Sequence, residues 1–287
     1  MPKVKTVEIT YRYAATAEGA RERPADAEAA LARLDAGGRS MAALLSDLTG
    51  KSGTAQRIIH VDPRDLGLSQ GESVIPAQRP YAAVLGCADA RVPVELIFNE
   101  GPNDLFVVRV AGNGLGSEVM GSLRYAIEHF ESLKLVVVLG HSGCGAVAAA
   151  VDVFLEPAGY LGFARKHSLR GILDRLLVVV HSGARRMAAI HGADIVRHPR
   201  YRDALVEIAV LSNAALAAHT LQQELTSAER EVRAAYGVYV IDERRIWAPR
   251  AGEEGVDTLA YPPVTAADFD ALAEAVVRSQ RIAAFLA

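Results

Sequence analysis

The chain has 287 residues, 51% of them apolar, which is enough for a sizeable buried core, and its 31 basic and 34 acidic side chains leave a net charge of −3. That balance offers no broad positive field to nucleic acid or to an anionic membrane surface, so neither is expected as a partner. Two cysteines, Cys87 and Cys144, are too few for a disulfide scaffold and read as thiols kept for chemistry or metal in a reducing compartment, with a single disulfide between them as the alternative.

From the start to about residue 50 the text is rich in Ala, Arg and Glu, and "ADAEAALARLDAGGRSMAALLSDL" has apolar residues at helical spacing broken by a Gly pair. Helices are predicted there, as an arm over about 1–50. The opening carries no apolar block of the signal-peptide kind, and no stretch is read as reaching the roughly 20 apolar residues of a membrane span, so a cytoplasmic protein is expected. Residues 51–80 turn polar and are predicted to form a long connecting loop with one extended piece at 57–61.

Four short β-branched runs follow, "PYAAVLG", "DLFVVRVAG", "KLVVVLG" and "YGVYVID", each closed by Gly or a polar residue, as buried strands are. Helical stretches lie between them, such as "GSEVMGSLRYAIEHFES" with Val119, Leu123, Ile127 and Phe130 on one stripe. The predicted class is α/β: a central, mostly parallel sheet of about four parallel strands with a possible antiparallel edge strand, flanked by helices. "LLVVVHSGARRMAA" imitates "LVVVLGHSGCGAVAAA", but Leu169, Ile172, Leu173, Leu176, Leu177 and Val180 fall on a helix stripe, so it is predicted to be a helix and no second site. A C-terminal extension over about 248–287 ends in an amphipathic helix capped by Thr265. The whole of 1–287 is read as one domain.

The candidate site begins in "LGCADARVPVELI". If strand geometry persists, Cys87, Asp89 and Arg91 emerge on one side at a strand's carboxyl end, where parallel sheets collect ligands, and Pro93 is suited to start the next helix. "GHSGCGA" supplies His141 and Cys144 three residues apart after a second strand, a spacing that brings an imidazole and a thiolate to one point. If the strands are neighbours, the set becomes two cysteines and a histidine, which favours zinc over calcium or magnesium and leaves a fourth position open. Asp89 would either fill that position in a closed state or be drawn off by Arg91. Each cysteine alone reads as a small buried hydrophobe, and it is their coincidence with His141 and the Asp–Arg spacing that favours metal. Arg109 and Asn113 read either as holding a strand-to-loop turn or as supporting a dimer or site wall. Gly143, between His141 and Cys144, sits in a tight turn and is a candidate substrate-binding position.

"CADARVPVELIFNEGPNDLFVVRVAGN" followed by "VVVLGHSGCGAV" resembles the β-class carbonic anhydrases over about 77–151, and more weakly in the helical lead-in and in "YGVYVID". The resemblance implies zinc on Cys87, His141 and Cys144, a catalytic Asp89–Arg91 dyad, a dimer or higher homo-oligomer, and reversible hydration of carbon dioxide to bicarbonate. It also implies that Gln78 helps orient substrate. Zinc brings the pKa of bound water near 7, and Asp89 could hydrogen-bond the resulting nucleophile. Ala90 and Val110 depart from the family, which usually has serine and asparagine there, and 152–200 and the C-terminus exceed its compact pattern. Two alternatives stay open: hydrolysis of carbonyl sulfide or carbon disulfide at the same zinc, and a non-catalytic zinc protein, which would have no need of the Asp89–Arg91 dyad.

Overall fold

The computed structural model describes residues 6–13, 22–46, 54–66, 75–160, 162, 167–226, 230–250 and 252–287. Its centre is a five-stranded sheet of β3 (Ala82–Gly86), β4 (Leu105–Arg109), β5 (Leu135–His141), β6 (Arg233–Val240) and β7 (Arg245–Trp247), in the spatial order β4-β3-β5-β6-β7. All neighbours are parallel except the last pair, whose antiparallel β7 forms the edge predicted as possible. Both faces are covered, which is why these strands read as unbroken apolar runs. Ala83, Leu85, Val136 and Val138 face one core, and Ala82, Val84, Leu135, Val137 and Leu139 face the other. Each fully buried Val or Leu among them contributes about 1.5–3 kcal/mol.

The larger core lies under α3 (Ser117–His129), α4 (Gly145–Leu155), α5 (His167–His191), α6 (Tyr201–Thr226), α7 (Ala266–Arg278) and α8 (Gln280–Leu286). The smaller one lies under α1 (Ala27–Ser46) and the short α2 (Val94–Ile97) that follows Pro93. The stretch resembling a second site is the helix α5, as its period required. Thr265 caps α7 with a reciprocal capping box through Asp268.

Helix α6 corrects one expectation. Its 26 residues include a window of mean hydropathy 1.5, long and apolar enough by composition to cross a membrane, yet 78% of that window is buried within the fold. It is the central core helix, seated so closely on β5 that a Cβ added at Gly140 would lie 3.1 Å from Val210.

The N-terminal arm departs from prediction in two ways. Residues 6–13 are not helical: β1 (Thr6–Tyr13) pairs in parallel with β2 (Thr54–Val61), the strand that contains the predicted extended piece. Val7 and Ile9 alternate with exposed Thr6, Glu8 and Thr10, a period of two that the Ala-rich text downstream obscured. The Gly pair does not break α1, which runs through it. A Cβ on Gly37 would come within 1.9 Å of the Phe98 carbonyl oxygen, so glycine there permits close packing on the turn after α2. Arg33 of α1 then pairs with buried Glu100, which also accepts the Tyr81 hydroxyl. Of the stretch expected to be loop, 51–53 and 67–74 lie outside the described residues, as do 47–50 of the expected helical arm.

Candidate metal centre

Strands β3 and β5 are neighbours, so their carboxyl ends open side by side. Cys87 follows β3 directly, His141 closes β5, and Cys144 immediately precedes α4. The two Sγ atoms are 4.0 Å apart, and these with a ring nitrogen of His141 all lie within 4.8 Å of one another, all buried. Both cysteines are free; a disulfide would need about 2.05 Å, so the single-bridge alternative is set aside. Among the described residues no other trio of His, Cys, Asp and Glu converges in this way.

The donor set fits zinc. Tetrahedral coordination at about 2.3 Å per thiolate puts two sulfurs about 3.8 Å apart, close to the separation observed. His141 Nδ1 lies 3.0 Å from the Ser142 carbonyl oxygen, and when it donates there Nε2 is left with a free lone pair. That Nε2 is a buried polar atom with no hydrogen-bond partner, which is costly unless something such as a cation receives it. The two thiols are pushed in opposite directions. The contact with Cys144 pulls Cys87 below the usual thiol range, while the same contact, together with burial, pushes Cys144 up. For His141, burial works against the cationic form, but the neighbouring Cys87 sulfur, with smaller help from the Ser142 carbonyl and Asp89, prevails and raises its pKa.

Asp89 and Arg91 reach the site by a turn, not by strand alternation. Regular strand ends at Gly86, so the expected two-residue alternation does not extend to Arg91. Instead the Asp89 carboxylate accepts the Arg91 backbone N–H at 2.9 Å and the Arg91 guanidinium at 3.0 and 2.7 Å. The Arg91 side chain and then its backbone hold the Asp89 carboxyl well below the usual carboxylate range. Asp89 Oδ2 lies 3.8 Å from His141 Nε2, at the rim of the cluster.

Arg109 settles as a turn holder: its Nε donates to the Cys87 carbonyl at 2.9 Å and its Nη2 to the Asp89 carbonyl. Gln78 is exposed and precedes β3, at the opposite end of that strand from Cys87, so within one chain it is not brought to the cluster. Gly143 has φ +62° and donates its N–H to Glu207 Oε1 at 2.8 Å. Val110 is half-buried and accepts the Ala88 N–H through its carbonyl; Ala90 is exposed.

Sequence reasoning missed two residues of α6. Glu207 holds Gly143, and Asn213 donates to the Gly112 carbonyl at 2.9 Å, so one helix braces both the turn between His141 and Cys144 and the loop that follows β4. A polar residue inside the apolar pattern of α6, at 4% exposure for Glu207 and 9% for Asn213, was the available signal.

Residues 82–243 match the family model described as carbonic anhydrase. The chain is 43% identical over 99 residues to a carbonic anhydrase of Mycolicibacterium smegmatis, covering 34% of this chain and 48% of that protein. It is 41% identical over 111 residues to carbonic anhydrase 2 of Mycobacterium tuberculosis, covering 38% and 49%. It thus spans about half the length of these relatives. A tetrameric β-carbonic anhydrase of Sordaria macrospora superposes with a TM-score of 0.46 at 23% identity, over 59% of this chain and 80% of that one. The sequence match takes in more than half of the chain, including Cys87, His141 and Cys144, and by it this chain belongs to the carbonic anhydrase family, in its β class.

Proposed function

We propose that this protein hydrates carbon dioxide reversibly to bicarbonate and a proton, with zinc held by Cys87, His141 and Cys144 as its cofactor. The observation that carries the reading is the convergence of three buried donor atoms, one of them the orphaned His141 Nε2, beside an aspartate already tied to an arginine. Zinc in that position supplies Lewis acidity that makes water nucleophilic near neutral pH.

The protein's own groups do the rest. Arg91 keeps Asp89 ionised and turned, so that its carboxylate accepts a hydrogen bond from the attacking water and fixes the direction of the lone pair. Arg109 fixes the carbonyls on either side of Ala88, and so the distance between Cys87 and Asp89. His141, with Nδ1 anchored on Ser142, presents one nitrogen in one orientation.

Homo-oligomerisation is part of the proposal. It is supported by edge strand β4, whose Leu105, Phe106, Val107 and Val108 are only half-buried and whose outer side is unpaired among the described residues. A reducing compartment, the cytoplasm, suits two free thiols at one site. Stopped-flow measurement of proton release on mixing with carbon dioxide tests the activity. Turnover that requires zinc supports it; hydrogen sulfide release from carbonyl sulfide or carbon disulfide without carbon dioxide turnover would replace the substrate, and no turnover of any would leave a binding protein.

A further inference from the structure

Residues 248–287 lie beyond the matched span, yet their last helix reaches the metal turn through a single intermediate side chain. Arg281, in the first turn of α8, donates from Nε at 2.9 Å and from Nη2 at 2.7 Å to Glu207 Oε2. The other oxygen of Glu207 accepts the Gly143 N–H at 2.8 Å. Arg281 Nη1 meanwhile donates to Glu243 Oε1 at 2.9 Å, in the turn between β6 and β7. The Glu207 and Arg281 side chains are 4% and 13% exposed, so the pair works largely out of water.

The turn that joins His141 to Cys144 has little else to fix it. Gly143 sits in left-handed geometry, and the space a side chain would occupy there has nothing within 4 Å. Packing therefore does not hold this residue from outside, and hydrogen bonds do. Two of them lock Ser142: its N–H donates to the Tyr239 carbonyl at 3.0 Å, and its hydroxyl accepts the Ile241 N–H at 2.9 Å. The third is Glu207 on Gly143. Geometry makes that third bond a consequence of helix seating, because Val210 packs on Gly140 and Glu207, three residues earlier on the same helix face, then meets Gly143, three residues later in the chain.

We propose that Arg281 and Glu207 are positioning residues for the metal centre, with the C-terminal helix setting the spacing between His141 and Cys144 through Gly143. A buried carboxylate is tolerated when a guanidinium forks onto it, and a carboxylate acceptor grips an amide more strongly than a neutral one. Without Arg281 the carboxylate loses the guanidinium that orients it and turns toward water, and the grip on Gly143 is lost. The C-terminal extension is in this view a working part of the centre. The inference rests on the zinc reading of Cys87, His141 and Cys144.

The test measures zinc affinity by competition with a chromophoric chelator, and the visible spectrum after cobalt substitution, for the full chain and for Arg281→Met, Arg281→Lys and Glu207→Gln. Thermal unfolding of the metal-free proteins runs alongside. Expected are a loss of zinc affinity of about tenfold or more for Arg281→Met, a smaller loss for Arg281→Lys, which keeps the charge without the fork, and altered cobalt bands in both. If Arg281→Met does not fold, Arg281→Lys decides, with a loss of more than about threefold as the supporting result. Affinities unchanged from wild type overturn the inference, and so does a loss accompanied by an unchanged cobalt spectrum, which would mark general destabilisation. Wild-type protein that binds no zinc on these thiols removes the metal reading and this inference with it; variants that match a zinc-binding wild type remove this inference alone.

Discussion

Arg91 closes on Asp89 twice over, with its own backbone N–H at 2.9 Å and with a two-nitrogen fork at 3.0 and 2.7 Å. The two residues are only one position apart in sequence from being neighbours, so a tight turn, not a long-range contact, builds the dyad. The arrangement is stiff because backbone and side chain restrain the same carboxylate.

Loosening this dyad should change pH dependence before it changes folding. Arg91 lies in solvent, so Arg91→Ala is expected to fold normally. The Asp89 carboxyl, now held low by Arg91, should rise toward its ordinary value, moving the acid limb of the hydration profile to higher pH. The rate constant should fall about 10- to 100-fold, as for other groups that orient a metal site. A stopped-flow pH series on wild type and variant checks both, and an unshifted acid limb would contradict the role.

Gly37 and Gly38 adjoin in α1 but face different neighbours, and their alanine variants should move stability in opposite directions. A Cβ at Gly37 would meet the Phe98 carbonyl oxygen at 1.9 Å, whereas at Gly38 the nearest atom is Ile246 Cγ1 at an ordinary 3.5 Å. Gly37→Ala is expected to cost about 3 kcal/mol by overpacking against backbone, which for a chain of this size is roughly 6–12 °C of Tm. Gly38→Ala should gain up to about 1 kcal/mol from helix propensity. Thermal unfolding of the pair would decide it.

Asp35 gives a second pH prediction, away from the metal. It is buried in α1 and accepts the Leu259 N–H at 2.8 Å and the Thr258 hydroxyl at 3.1 Å, yet burial outweighs these bonds and raises its pKa. The folded chain therefore holds this proton more tightly than the unfolded chain. Its contribution to stability is full below the unfolded pKa of about 3.9 and is lost as pH rises through the folded value. Asp35→Asn keeps an acceptor for Leu259 without the charge, so the slope of stability over that window should flatten. Denaturant titrations at a series of pH values test this, and a variant losing more than about 1 kcal/mol at neutral pH would show that the charge itself is needed.

The parts of this fold that were legible in the sequence are those where one physical cause dominates. Buried parallel strands must be apolar on both faces, so β3 to β6 announced themselves, and a Cys-x-Asp-x-Arg segment before a His-x-x-Cys segment leaves few other uses for its residues. The reason given for the dyad's direction did not hold, because the strand stops at Gly86 and an Asp89-centred turn takes over. Strand β1 was hidden by helical text just after it, and the Gly pair looked like a break because its use, the Phe98 carbonyl lying over Gly37, is 61 positions away. Glu207, Asn213 and Arg281 act over separations of 64 to 101 residues, and such pairings leave no local pattern to read.

The central claim is that two sulfurs and one imidazole nitrogen hold a single zinc ion, and zinc K-edge X-ray absorption on the purified protein tests it most directly. The account predicts one zinc per chain with two sulfur scatterers at about 2.3 Å and the remaining nitrogen or oxygen scatterers at about 2.0–2.1 Å. A zinc shell without sulfur, or a folded and active protein containing no zinc, would contradict it.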